Sequence, residues 1–384
     1  MDIKTNRFAV KNTLGMFDLL KGLLMVSMII GHTHGYFENI NFIPKYIFIT
    51  ILGIAGEPAM PILLIIGGYG FRKTALIKSI KQQHKRLLVP FAITVLITVV
   101  ANWVLYPLVF GCGMASGTKQ AAKIFIASAM GYAQETTFFG IVLESCGPVW
   151  FFLAMAIGMV IFNLLANYLE GEKLLLATGL LAILGWLSSI NICLPWTISQ
   201  ALVSTFYIGH GHYAKKKKMF TSGEHIKGIT IGSILIIAVV LLLKLVNVKV
   251  DMANNIYALG PVSIILTGLN GYIVIYWFLR LNRFEGKILN GLRSVGRNSL
   301  YVLCVHAIEI TAIGRYIQMH LVDTWQGPVW VRNLIIVSAN AVALFAGTYG
   351  FLWVKNNYTE LAEKVRYIMF RRRNKTWTTF MKKL

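Results

Sequence analysis

One apolar stretch near the N-terminus carries three side chains able to hold or move charge. They are Asp18, Lys21 and His32, in the run Phe17-Asp18-Leu19-Leu20-Lys21-Gly22 through Gly31-His32. Wound as an α-helix, Lys21 lies about 60° and His32 about 40° from Asp18 around the axis, and the three spread along roughly 21 Å. An ionisable group in a membrane-crossing helix is costly and usually faces the bundle interior or a water-filled cavity. The stripe therefore has two readings. It is the wall of an internal cavity, with His32 as a base because imidazole titrates near neutral pH. Alternatively it is an Asp18–Lys21 pair snorkelling at the interface, with His32 hydrogen-bonded to a neighbouring helix.

A second constellation runs from Arg297-Asn298-Ser299 to His306 and Glu309. Ser299 and His306 share a helix face, and Glu309 follows His306 by about one turn. Together they make either a proton relay or a mutually satisfied structural pair. A third set is cationic: Gly67-Gly68-Tyr69-Gly70-Phe71-Arg72-Lys73 closes one apolar run, and His84-Lys85-Arg86-Leu87-Leu88-Val89-Pro90 opens the next. Such cations bind phosphate oxygens strongly or simply snorkel. The chain has no GxSxG, no HExxH and no CxxC or Cys/His spacing of a metal site. Cys112 and Cys146 bound the long segment 111–146, where they are either two free thiols or, in an oxidising compartment, a disulfide.

The elements that must position these groups follow from composition. Of 384 residues, 56% are hydrophobic and only 14% charged, with net charge +22. A soluble domain carries about 25% charged residues, so an ordinary soluble enzyme is excluded, and so is disorder. A helix needs roughly 20 mostly apolar residues to cross a bilayer. Ten such runs are present, over 14–36, 48–71, 87–110, 147–168, 173–191, 196–213, 228–248, 258–280, 296–317 and 331–354. With the N-terminus in the cytoplasm, 29 Lys and Arg face inward and seven outward, as the positive-inside rule requires. The basic charge is thus that of membrane-adjacent loops, with no call for nucleic acid. The expected fold is an all-α, polytopic membrane helix bundle of about ten transmembrane helices with both termini cytoplasmic. It divides into a cytoplasmic segment 1–13, a transmembrane domain 14–354 and a basic tail 355–384. A multi-pass cell-membrane protein without a cleaved signal peptide is expected.

These pieces resemble the acyltransferase-3 family of integral membrane acyltransferases, in particular its fucose 4-O-acetylase-like branch. That family's first span carries a basic residue, ten intervening residues and a His, similar to Lys21 through His32. Its Pro-to-Ser-Gly-Tyr pattern corresponds to Pro61 through Gly67-Gly68-Tyr69, with Gly67 in place of Ser. Lys85-Arg86-Leu87-Leu88-Val89-Pro90-Phe91, Trp150-Phe151-Phe152-Leu153, Phe206-Tyr207-Ile208-Gly209 and Gly296-Arg297-Asn298-Ser299-Leu300 with His306 are similar to further stretches of it. The resemblance covers about residues 14–350.

The resemblance implies transfer of an acyl group, usually acetyl from cytoplasmic acetyl-CoA, to a hydroxyl of an exported glycan or glycolipid, with no metal. It implies His32 as general base or transient acyl carrier, with Asp18 and Lys21 shaping the donor channel and His306 and Glu309 as further catalytic candidates. Arg72, Lys85 and Arg86, then Arg293 and Arg297, would hold the donor's phosphates, and Tyr69 and Trp150 would line its path. The partners are then acyl-CoA, the acceptor and membrane lipids, and a homodimer is compatible. The competing class is a transporter or flippase for a lipid-linked or anionic substrate, which shares a polar seam and basic inner face but tends to show inverted repeats. No such repeat is visible.

Overall fold

The protein is described by a computed structural model covering residues 10–13, 15–34, 56–190, 193–223, 226–282 and 284–381. Ten helical segments fall on the ten expected spans. They are α1 (Asp18–His34), α2 (Ala59–Tyr69), α4 (Val89–Phe110), α6 (Trp150–Tyr168), α7 (Gly171–Ser189), α8 (Ile198–Lys216), α9 (Ile226–Leu245), α10 (Pro261–Leu281), the joined pair α12 (Ser299–Ile308) and α13 (Gly314–Thr324), and α14 (Val329–Met381). Residues 48–55 of the expected second span lie outside the described residues. Seven of the segments are long and apolar enough to cross a membrane on length and composition alone. The other three, α1, α2 and α8, are short or carry the polar residues that the bundle buries, as Ser199, Gln200, Ser204 and Thr205 are on α8. The chain is an all-α, multi-pass membrane bundle.

Local chemistry sets several helix ends. Proline occupies the first turn of α10, where its missing N–H costs nothing and its fixed φ is already helical. Gly111 ends α4 in the left-handed region at φ 60°, a conformation glycine adopts without steric cost. Peripheral helices leave large aliphatics uncovered, such as Ile231, Ile234, Leu235 and Leu242 on α9. Contiguous apolar surface of this kind is a lipid-facing belt, since water would not tolerate it.

Inside the bundle, small residues bring backbones together. A Cβ on Gly68 of α2 would stand 1.9 Å from the Ile208 carbonyl oxygen of α8, and one on Gly211 of α8 would stand 1.9 Å from that of Ile65. The Gly67-Gly68 run is therefore a helix-packing surface. The same device joins α1 to the short amphipathic helix α11 (Lys287–Arg297): Cβ atoms at Gly22 and Gly296 would fall 2.0 Å and 1.8 Å from the Leu292 and Asp18 carbonyl oxygens.

Three further elements lie between spans. Helix α3 (Leu76–Gln83) enters α4 through a π turn over His84–Leu88. The segment 111–146 is largely ordered, as α5 (Met114–Ala129) and a hairpin of β1 (Thr136–Phe138) and β2 (Ile141–Leu143). Helix α5 buries Gly117, Ala121, Ile124 and Ser128, an i, i+4, i+7, i+11 stripe; it is too short and too polar to register as a span. Strands β3 (Val250–Asp251) and β4 (Ile256–Tyr257) form a small hairpin before α10. All four cysteines are free thiols, so Cys112 and Cys146 are not bridged. Burial pushes the Cys146 thiol up to about 12, which leaves it protonated and unreactive at neutral pH.

Replacing Gly296 by Val should force α11 off α1 and cost about 1–3 kcal/mol, lowering the melting temperature in detergent. Gly291→Ala, at a position where an added Cβ meets nothing within 4 Å, should be neutral or slightly stabilising.

Candidate active site

Two sites emerge, at opposite ends of α1. At its N-terminal end Asp18 is buried and forms an ion pair with Lys21 at 2.7 Å, while the Arg297 Nε stands 3.7 Å from the other carboxylate oxygen. The Gly22–Gly296 approach delivers Arg297, since it puts the last turn of α11 against the first turn of α1. Arg297 is otherwise exposed. Asp18 is thus held by one cation of its own helix and one from across the packing seam.

At the other end, His32 opens into a cavity of about 1050 Å³. The described lining combines Ser27, Met28 and His32 of α1 with Trp150 of α6 and with the segments around 56–60, 133–148 and 249–256. His32 is exposed to this space, while its ring packs at 5.5 Å between centroids and 50° against that of His306. His306 and Glu309 are both buried, and the His306 Nδ1 is 3.0 Å from the Glu309 Oε2. The three residues make one chain: an imidazole in the cavity, a second imidazole behind it, and a carboxylate that orients the second.

The backbone explains how Glu309 reaches this position. It opens a π turn, Glu309–Ile313, inserted between α12 and α13, and such turns often occur at functional sites. Asn102 of α4 donates its amide to the Thr311 carbonyl at 3.3 Å and to the Thr98 carbonyl at 2.8 Å, and its own oxygen accepts from the Tyr316 hydroxyl. The turn is therefore braced from α4 by a buried polar group that has its own partners, as low-dielectric surroundings demand. Gly314 is required below it, because an added Cβ would lie 2.1 Å from the Glu309 Oε1 and 3.0 Å from the Asn340 Oδ1 of α14.

Of the residues singled out from the sequence, the structure brings together His32, His306, Glu309 and Trp150, although His32 and His306 are remote in the chain. It groups Asp18, Lys21 and Arg297 separately. Arg72, Lys85 and Arg86 are exposed at the ends of α2 and α4, and none of them is among the described lining of the cavity. The Thr74 backbone beside Arg72 is pinned by Asn163 of α6, which accepts from its N–H at 3.0 Å and donates to its carbonyl at 2.9 Å. Arg293 is engaged by the backbone and side chains around it. Its guanidinium donates to the Asn282 and Phe284 carbonyls at 2.8 and 2.6 Å and to the side chains of Asn282 and Asn290, so it ties the end of α10 to α11. Tyr69 is buried with its ring against Phe17 and Phe220 and the Lys215 ammonium 5.9 Å from its centroid.

Sequence reasoning missed the charged wall of the cavity. Glu144 of the segment after β2 takes both terminal nitrogens of Arg315 on α13, and Glu57 accepts from Lys244 of α9. The available signal was scarcity: the chain has only 15 acidic residues, and several of them flank the same ends of the spans.

A multi-pass bundle that buries an acid–imidazole pair behind an imidazole open to a large cavity has the architecture of an integral-membrane enzyme. The acyltransferase-3 family model, described as an acyltransferase domain, matches residues 15–364. The chain belongs to this family and is a membrane acyltransferase. No curated protein and no solved structure matches it.

Glu309→Ala should leave the buried His306 Nδ1 without an acceptor and cost about 1–3 kcal/mol, seen as a lower melting temperature. Glu309→Gln retains an acceptor oxygen and should cost less.

Proposed function

We propose that the protein moves an acyl group, acetyl by preference, from cytoplasmic acyl-CoA to a hydroxyl of an exported or surface glycan or glycolipid at the cell membrane. The observation that carries this reading is the His32 imidazole, open to the cavity and backed by the His306–Glu309 pair. An acyl transfer needs a base for the acceptor hydroxyl at the reacting centre, and neutral imidazole is suited to it.

In the reaction the acceptor oxygen attacks the thioester carbon, its proton passes to His32, and the carbon–sulfur bond breaks as the CoA sulfur leaves and is protonated. His306 has one ring nitrogen held by Glu309, which keeps the second imidazole in a fixed orientation against the first. The charge that develops on His32 is thereby faced by a ring whose carboxylate partner offsets it. The donor approaches from the basic end. Arg72, Lys85 and Arg86 are exposed there and free to meet phosphate oxygens, and Asp18 and Lys21, with which Arg297 of α11 groups, lie on the same helix as His32.

His32→Ala should lower transfer by about 10²–10⁴-fold while expression and gel-filtration behaviour stay normal. The measurement is loss of one acyl unit from surface glycans or glycolipids by mass spectrometry; unchanged acylation would remove His32 from the mechanism. An acyl adduct trapped on His32 without acceptor would assign it the carrier role instead of the base. Arg72→Glu or Arg86→Glu should weaken acyl-CoA binding at least about tenfold more than Lys216→Glu, and equal effects would leave these cations to topology alone.

A further inference from the structure

Helix α14 presents Leu334, Ile335, Val342 and Phe345 outward, while Asn333, Ile336, Asn340 and Leu344 are buried. The buried four recur at i, i+3, i+7 and i+11, one face of a helix. The helix packs against α12, the π turn and α13. Two asparagines on the inner face of a span call for an explanation, since lipid supplies no partner and a buried amide must find one within the protein.

Asn333 uses its oxygen, which accepts from the Arg332 Nε at 3.2 Å. Asn340 is only 4% exposed, and among the described residues neither end of its amide has a hydrogen-bond partner. Glu309 is half in the same condition. Its Oε2 meets the His306 Nδ1, while its Oε1 is buried and has no donor among the described residues. Both unpaired groups border one point: a Cβ on Gly314 would stand 2.1 Å from the Glu309 Oε1 and 3.0 Å from the Asn340 Oδ1. Glycine at 314 keeps the ground between them clear.

Two oxygens that only accept gain nothing from each other. A half-turn of the Asn340 amide about its last bond exchanges Oδ1 for Nδ2, a donor, in the same space. The exchange moves no backbone and gives Oε1 the partner whose lack is costly for a buried polar group. The carboxylate is then held at both oxygens and cannot swing away from His306. With Nδ1 fixed on Glu309, His306 has its buried and unpaired Nε2 left for His32, whose ring packs against its own.

We infer that Asn340 is a positioning residue: its amide donates to the Glu309 Oε1 and fixes the carboxylate that orients His306 behind His32. The inference rests on the acyl-transfer reading for its effect on rate; the contact itself does not.

Two measurements on the full chain test it. In inverted membrane vesicles given isotope-labelled acetyl-CoA, mass spectrometry follows acyl incorporation into the glycans and glycolipids present. Asn340→Leu keeps the volume and removes the donor; it should lower the maximal rate about tenfold, with the apparent KM for acetyl-CoA within about twofold. In a Glu309→Ala background it should lower the rate no further, because Asn340 acts through that carboxylate. Asn340→Gln should run at least about threefold faster than Asn340→Met, a side chain of the same length without a donor. Melting temperature in detergent repeats the cycle without substrate: Asn340→Leu should lower it in the Glu309 protein and by less in Glu309→Ala. A wild-type rate in Asn340→Leu, equal proportional losses in both backgrounds, a loss confined to KM, or equal rates for Asn340→Gln and Asn340→Met would each overturn the inference. Should His32→Ala leave incorporation unchanged, acyl transfer at His32 fails by itself. The melting-temperature cycle then decides the Asn340–Glu309 contact, and equal shifts in both backgrounds overturn it.

Discussion

Polar groups in a hydrocarbon solvent must find their partners within the protein, because lipid supplies none. That constraint organises this molecule. The His306–Glu309 pair, the Asn102 amide on the Thr311 carbonyl, and the Asp18 carboxylate between Lys21 and Arg297 all lie on inward helix faces. Each joins neighbouring turns or neighbouring helices. Removing one partner leaves a charge or dipole in low dielectric, so these groups hold the helices in a single arrangement while they equip the site. The π turn at Glu309 belongs to the same logic, since Asn102 of another helix donates to its Thr311 carbonyl.

Close backbone approach is the second organising device. With no hydrophobic force to drive helices together inside lipid, shape and small residues decide which pairs touch. Gly22 with Gly296 and Gly68 with Gly211 fix two such contacts. The first brings Arg297 to Asp18 and so builds the charged group at one end of α1, while the other end of the same helix carries His32 into the cavity. One helix therefore connects the Asp18–Lys21–Arg297 group to the chamber.

Much of this was legible in the amino-acid order. The positions of the apolar helical segments, the polar stripe of α1 and the candidacy of His32, His306 and Glu309 follow from hydropathy and helical period, because these depend on local chemistry. Helix α5 was not legible: its buried stripe of Gly117, Ala121, Ile124 and Ser128 has one large apolar residue among small ones, and the helix is too short for a span. Nor were the hydrogen bonds by which Arg293 ties the end of α10 to α11.

The sequence by itself determined that this chain is a multi-pass membrane bundle and which residue types sit where lipid would reject them. Only tertiary structure decided that His32 and His306 are neighbours, that Glu144 meets Arg315, and that the glycines after Ile66 pack a helix. The physical reason is that hydropathy acts on each segment separately. Which helix faces meet depends on shape and on satisfaction of polar groups across long chain separations, and no local pattern records that.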